Sequence, residues 1–308
     1  MFTNEQRMKR RAGLGASEVA AVLGLCPFRT PWDVFASKTG LSEDGVENDA
    51  KTLGHLFEGP ILALYEKKNG VSVRTPLPTI QHHKYAWAFA TPDGEESNTG
   101  VLVQAKNVGR GMAHEWARGL PEYVALQVQW EMACADRQAA RVAAVVCGTE
   151  YVQFDCHRDD DAIEAMLEVC GAWWKRHIVN KEPLTPDGSH ACRSALSARF
   201  NRGTGEFQQG TPLVRTLVEE YSEARKRAKQ AEEDLALFGN LLCETIGDSQ
   251  GIIGEDFKVT WKFNSRGLPN YKRIAEELGA TPDLIDRHTG APARVLRVAW
   301  TKKGETQQ

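Results

Sequence analysis

The stretch TPDGEESNTGVLVQAK, Thr91 to Lys106, contains a turn followed by an alternating strand. Pro92 and Gly94 force the turn and leave the Asp93 carboxylate at a strand mouth. Asp-Gly is also a common hairpin signal, so Asp93 taken alone is equally a turn residue. In VLVQAKN the side chains alternate: Val101, Val103 and Ala105 point one way, and Leu102, Gln104 and Lys106 the other. Gln104 and Lys106 thus share a face, and a short hairpin brings them to the strand that carries Asp93. Glu95 and Glu96, in the hairpin turn, read as solvated.

Upstream, GLGASEVAAVLGL reads as a loop and a short helix with Ser17 as N-cap, and PWDVFASKTG as a second helix closed by Gly40. After the acidic linker SEDGVENDAK, apolar residues at Leu53, Leu56, Phe57, Ile61, Leu64 and Tyr65 have helical spacing, which puts Glu58 on a helix with His55 one turn before it. VSVRT, KYAWAFATPDG and GVLVQAKNVG read as strands, and PEYVALQVQWEMACA as a helix. ARVAAVVCG and EYVQFDCHR read as two further strands, and DDAIEAMLEVCGAWWKRHIV as a long amphipathic helix. This order predicts an α/β (α+β) domain with a mixed central sheet flanked by helices over 1–210.

EPLTPDGSHACR and GTGEFQQGTP read as connector. An extension over 211–308 follows, in which Val214, Leu217, Tyr221, Ala224, Ala228, Ala231, Leu235, Phe238 and Leu242 form a heptad seam on a helix about 50 Å long. Its seam reads as packing within the chain, with an oligomer or annealing-protein contact as the competing reading. FKVTWKF and RVLRVAW suggest a small hairpin.

The 308 residues carry a net charge of −3, with 42% hydrophobic and 26% charged residues, the balance of a globular protein. No apolar run approaches the length of a membrane span or follows the charged start MFTNEQRMKRR, so the expected location is cytoplasmic. Seven cysteines without a CxxC pair read as buried reduced thiols, and they exclude a four-cysteine iron–sulfur cluster. Any nucleic-acid contact must use local positive patches, and Arg7, Lys9, Arg10, Arg11, Arg29 and Lys38 form one candidate. The tryptophans read as core, although Trp116, beside Arg118, suits stacking on a base.

Phosphodiester hydrolysis needs an acid-held hard cation and a nearby lysine. An Asp, a pair spaced as acid-x-Lys on the next strand and a Glu from an earlier helix resemble the PD-(D/E)xK nuclease superfamily, and within it the lambda exonuclease and YqaJ-like viral recombinase family. RRAGLGASEVAAVLGL, LGHLFEGPILALYE, TPDG, VQAK and LPEYVALQVQWEM carry the resemblance, which spans about residues 7 to 190. It implies a restriction-endonuclease-like core and Mg²⁺, with Mn²⁺ as a substitute, held by Glu58, Asp93, Gln104 and the Ala105 carbonyl. It makes Lys106 the catalytic lysine and Gln127 the glutamine beside the site, with Gln129 on another face. Arg10 and Ser17 match the pair that holds a terminal 5′-phosphate, assisted by Thr91; the helix start at Ser17 suits an anion. The competing reading is a surface Arg and an ordinary N-cap.

By resemblance the chain is a phage or prophage exonuclease of a bacterial host cell. It would degrade one strand of linear duplex DNA from the 5′ end for a single-strand annealing recombinase, as a ring-shaped trimer. Gln104 departs from the pattern, which has an acid there. Loss of that charge lowers the expected metal affinity and turnover. The residue reads either as an acid-to-amide replacement that traps a substrate complex, or as a natural variant that is weak, uses another acid or only binds DNA. An endonuclease of the same fold and an inactive DNA-end-binding protein are therefore the alternatives.

Overall fold

The computed structural model describes residues 11–41, 49–201 and 205–262, together with Gly279 and Thr281. The chain forms two compact units, 1–200 and 201–308. In the first, β1 (Leu14–Gly15) leads into α1 (Ala16–Val22), α2 (Pro31–Thr39) and α3 (Asp49–Asn69). Five strands follow: β2 (Val73–Arg74), β3 (Ile80–Gln81), β4 (Ala88–Ala90), β5 (Gly94–Glu96) and β6 (Leu102–Val108). The unit continues with α4 (Ala113–Trp116), α5 (Glu122–Ala135), β7 (Ala139–Val146), β8 (Glu150–His157), α6 (Asp160–Trp173) and α7 (His190–Arg199).

The main sheet runs β2-β5-β6-β7-β8; β6 and β7 are parallel and the other pairs antiparallel. This is the mixed sheet, flanked by helices, that the order of elements in the sequence predicts. Both faces of β6 are buried because each is covered. Ile61, Leu62 and Tyr65 of α3 pack on Val103 and Ala105, while Val124, Val128 and Met132 of α5 share a cluster with Leu102. The alternation read in VLVQAKN is thus preserved, and Gln104 and Lys106 face α5. Each large apolar side chain so buried contributes about 1.5–3 kcal/mol.

KYAWAFATPDG is not one strand. β4 belongs to a separate small sheet, parallel to β1 and antiparallel to β3, and the chain crosses at Thr91–Asp93 into the main sheet. Pro92 has no N–H for a ladder and ends the first strand there. Gly94 starts the second because a Cβ at that position would strike the Val73 side chain.

Three further readings change. The proposed connector holds α7, capped by Ser189, whose Oγ accepts from Cys192 N–H at 3.0 Å; Cys192 and Ala195 pack against Trp32 and Phe35. The long amphipathic helix ends its α-helical run at Trp173 and widens into π-type turns over Trp174–Val179. Cys147 is exposed in the turn between β7 and β8, whereas Cys134, Cys170 and Cys192 are buried as expected.

In the second unit, α8 (Pro212–Ile246) is capped by Thr211 and followed by β9 (Gly251–Ile253) and β10 (Lys258–Thr260). The heptad residues Leu217, Leu235 and Phe238 stay exposed. β10, within FKVTWKF, pairs with β9 through a tight turn closed by Gly254 N–H to Phe257 O at 2.9 Å. Proximity in the chain favours that partner, and RVLRVAW lies outside the described residues.

Candidate active site

Asp93 occupies the corner between the two sheets. Its carbonyl accepts from Thr75 Oγ1 at 2.7 Å, which ties the corner to the end of β2. The β5–β6 ladder ends at Gly94 opposite Val103, so the next residues of β6 look to the corner for partners. Asp93 Oδ2 supplies one: it accepts the Ala105 backbone N–H at 2.8 Å and a short hydrogen bond from the Gln104 side-chain amide. Burial pushes the Asp93 carboxyl up to about 6, against the pull of Lys106 and the Ala105 N–H, and with a further push from Glu58.

Gln104 is 4% exposed, and with its NH₂ committed to Asp93 its Oε1 has no hydrogen-bond partner. An unsatisfied buried acceptor costs about 1–3 kcal/mol. A cation would satisfy it. The oxygen donors at hand are the Asp93 carboxylate, this amide oxygen, the Ala105 carbonyl and Glu58 on α3. They suit a hard divalent cation in atom type. Among the described residues no three His, Cys, Asp or Glu side chains come together as a metal cage. Glu58 is half-buried and its Oε1 lies 2.9 Å from His55 Nδ1, a supporting contact for the histidine.

From the same face of β6, Lys106 Nζ donates to Gln127 Oε1 at 2.9 Å. Gln127 Nε2 in turn donates to Glu131 Oε1 at 2.8 Å. Glu131 is a residue the sequence reading passed over. It is 1% exposed, its Oε2 has no partner, and burial together with the nearby Asp93 charge raises its carboxyl to about 8. The available signal was its place four residues after Gln127 on one helix, within an otherwise apolar run.

Glu95 and Glu96 are not solvated. Glu95 is bound by Arg74 and Arg137, the latter at 2.7 Å, and Glu96 by Arg141 at 2.7 Å, with Tyr65 and Thr99 donating to it as well. Although burial opposes it, these donors hold both carboxyls below the ordinary range. Both are structural ion pairs and supply nothing to the Asp93 corner.

At the other candidate positions, Gly15 is the N-cap of α1 and Ser17 lies exposed within its first turn. Glu18, three residues after Gly15, returns its carboxylate to the Gly15 N–H at 2.9 Å, which selects Gly15 over Ser17. Thr91 is exposed and bonded to Thr79 Oγ1 at 2.9 Å. Arg10, with Arg7 and Lys9, lies outside the described residues. Lys38 is buried against Glu18 at 2.6 Å and so leaves the proposed positive patch. Gln129 bonds the His157 carbonyl and Asp159 N–H away from the site. Trp116 is 4% exposed and packs on Phe154, which removes it as a stacking platform.

Comparison with known proteins bears on these residues. The model of the YqaJ-like viral recombinase domain matches residues 7–138. The uncharacterized protein YqaJ of Bacillus subtilis (strain 168) is 23% identical over 295 residues, covering 93% of this chain and 91% of that protein. Among solved structures, the alkaline exonuclease of Laribacter hongkongensis overlaps with a TM-score of 0.49 at 24% identity, over 58% of this chain and 94% of its own. A phage-related exonuclease from Haemophilus somnus 129PT overlaps at 0.44 and 12%, over 57% of this chain and all (100%) of that one. Glu58, Asp93, Gln104, Lys106, Gln127 and Glu131 all fall inside the matched segment, which is similar to the YqaJ-like viral recombinase domain.

Proposed function

We propose that the chain is a metal-dependent deoxyribonuclease of the lambda-exonuclease type, which shortens one strand of linear duplex DNA from its 5′ end. The 3′ single strand left behind is the substrate of a single-strand annealing recombinase. The observation that supports this best is the meeting of Asp93, the Gln104 amide, the Ala105 backbone and the Lys106–Gln127 pair at one end of β6. Acids whose carboxyls are pushed up by desolvation beside a lysine are candidates for a functional site.

Glu58, Asp93, the Gln104 amide oxygen and the Ala105 carbonyl would hold Mg²⁺, or Mn²⁺ in its place. When bound, the ion supplies Lewis-acid activation of water and phosphate. Lys106 is tethered by Gln127 and keeps its ammonium where charge builds on the phosphate. Burial raises the metal-free Asp93 carboxyl to about 6, so proton and cation compete for it and uptake of the ion strengthens as pH rises. Arg10, Ser17 and Thr91 are assigned to the terminal 5′-phosphate, and a ring-shaped homotrimer is the assembly that suits an enzyme working along one strand. The setting is a phage or prophage protein in the bacterial cytoplasm. Among the described residues no helix is long and apolar enough to cross a membrane.

One observation favours a second reading, a DNA-end-binding protein with little turnover: the Gln104 amide supplies Asp93 with a proton donor and leaves the site one charge short. The test is incubation in Mg²⁺ with end-labelled linear duplex and covalently closed duplex. We expect loss of label from 5′ ends, faster with a 5′-phosphate than a 5′-hydroxyl, and intact circles. Equal cutting of circles contradicts an exonuclease, and a stable complex on uncut linear DNA supports the binder.

A further inference from the structure

Glu131 is the buried acid that the proposed chemistry leaves unused. It sits one turn beyond Gln127 on α5, in the run Val128, Trp130, Met132, each 0% exposed. Both ends of the Gln127 amide are engaged: its oxygen accepts from Lys106 and its nitrogen donates to Glu131. The flipped amide would set NH₂ against the ammonium and oxygen against the carboxyl oxygen, donor to donor and acceptor to acceptor. Glu131 therefore admits one orientation of Gln127, and that orientation gives Lys106 its acceptor. An ionised Glu131 can only accept, a neutral one with its proton on Oε2 still accepts at Oε1, and Lys106, which only donates, opposes the flipped amide in either state.

We propose that Glu131 is the positioning residue for Lys106, fixing the ammonium at the end of β6 through Gln127. The proposal rests on the nuclease reading only in giving Lys106 a chemical task there. A purely structural role is separable from it. Glu131 carries an oxygen, Oε2, without a partner in an apolar setting, and the half-buried Gln127 can turn its freed NH₂ to water, so an apolar side chain of similar size is tolerated by the fold. Stability should then be kept while lysine positioning is lost.

The experiment follows the ¹⁵N-edited ammonium signal of Lys106 in the full chain and its proton exchange with water, assigned by Lys106→Arg. In Glu131→Leu we expect unfolding at about the same temperature and exchange at least about tenfold faster, the worth of one hydrogen bond to a charged group. Glu131→Gln, which keeps an acceptor oxygen, should retain slow exchange. Parent-like exchange in Glu131→Leu overturns the proposal, and Glu131→Met is read by the same criterion if the Leu variant does not fold. DNA degradation by the same proteins separates the two ideas. Faster Lys106 exchange in a chain whose parent never cuts DNA defeats the nuclease reading and supports the positioning role. Cutting with unchanged exchange does the reverse.

Discussion

Two pairs of acids, Glu95 with Glu96 and Glu131 with the half-buried Asp93, lie close in the fold and are treated in opposite ways. Glu95 and Glu96 each have guanidinium partners, from Arg74, Arg137 and Arg141, and are held as anions below the usual range. Asp93 and Glu131 have no guanidinium. Their partners are amides, a backbone N–H and, at a distance, Lys106, and their carboxyls rise to about 6 and about 8. The first pair closes the sheet edge. The second leaves carboxyls whose charged form has no fixed cation beyond one lysine, so an added cation would favour their ionisation.

Breaking the first pair should have the largest effect. Arg141→Leu strands Glu96, which is 3% exposed, and should cost about 3–5 kcal/mol of stability, read by denaturant unfolding. A loss below about 1 kcal/mol would show that Glu96 is sustained by Tyr65 and Thr99 alone.

The second pair predicts a smaller effect of the opposite kind. Glu131 has a folded-state value near 8 against an ordinary 4.5, so between these the native state binds the extra proton. Stability contributed by the neutral acid is complete below pH 4.5 and is lost as pH rises toward about 8, with a limiting slope of about 1.4 kcal/mol per pH unit. Glu131→Leu should flatten that part of the metal-free stability profile. A profile identical to the parent's would place the proton elsewhere.

The same contrast explains what was legible in the sequence. The α5 and β6 periodicities, the hairpin opposing Asp93 and β6, and the shared face of Gln104 and Lys106 follow from local spacing and are found in the fold. Glu95 and Glu96 were misread because Arg74, Arg137 and Arg141 lie 21, 42 and 45 residues away, and no local pattern announces such partners. Ser17 yielded its cap to Gly15 through one side chain, Glu18, while α7 hid behind Pro and Gly residues that ended before Ser189. Glu131 looked like a polar break in an apolar helix. Only the sheet packed against α5 shows that it faces Gln127 and the corner.

We propose that this corner is a metal-dependent cutting site limited by the amide at 104. Its most direct test is the Mg²⁺-dependent rate of linear duplex degradation for the parent, Gln104→Glu, and Gln104→Glu combined with Lys106→Met. The account predicts a gain of at least about tenfold on restoring the carboxylate, and a loss of about 10²-fold or more when Lys106 is removed from that background. Equal rates in all three, or none detectable in any, would contradict it.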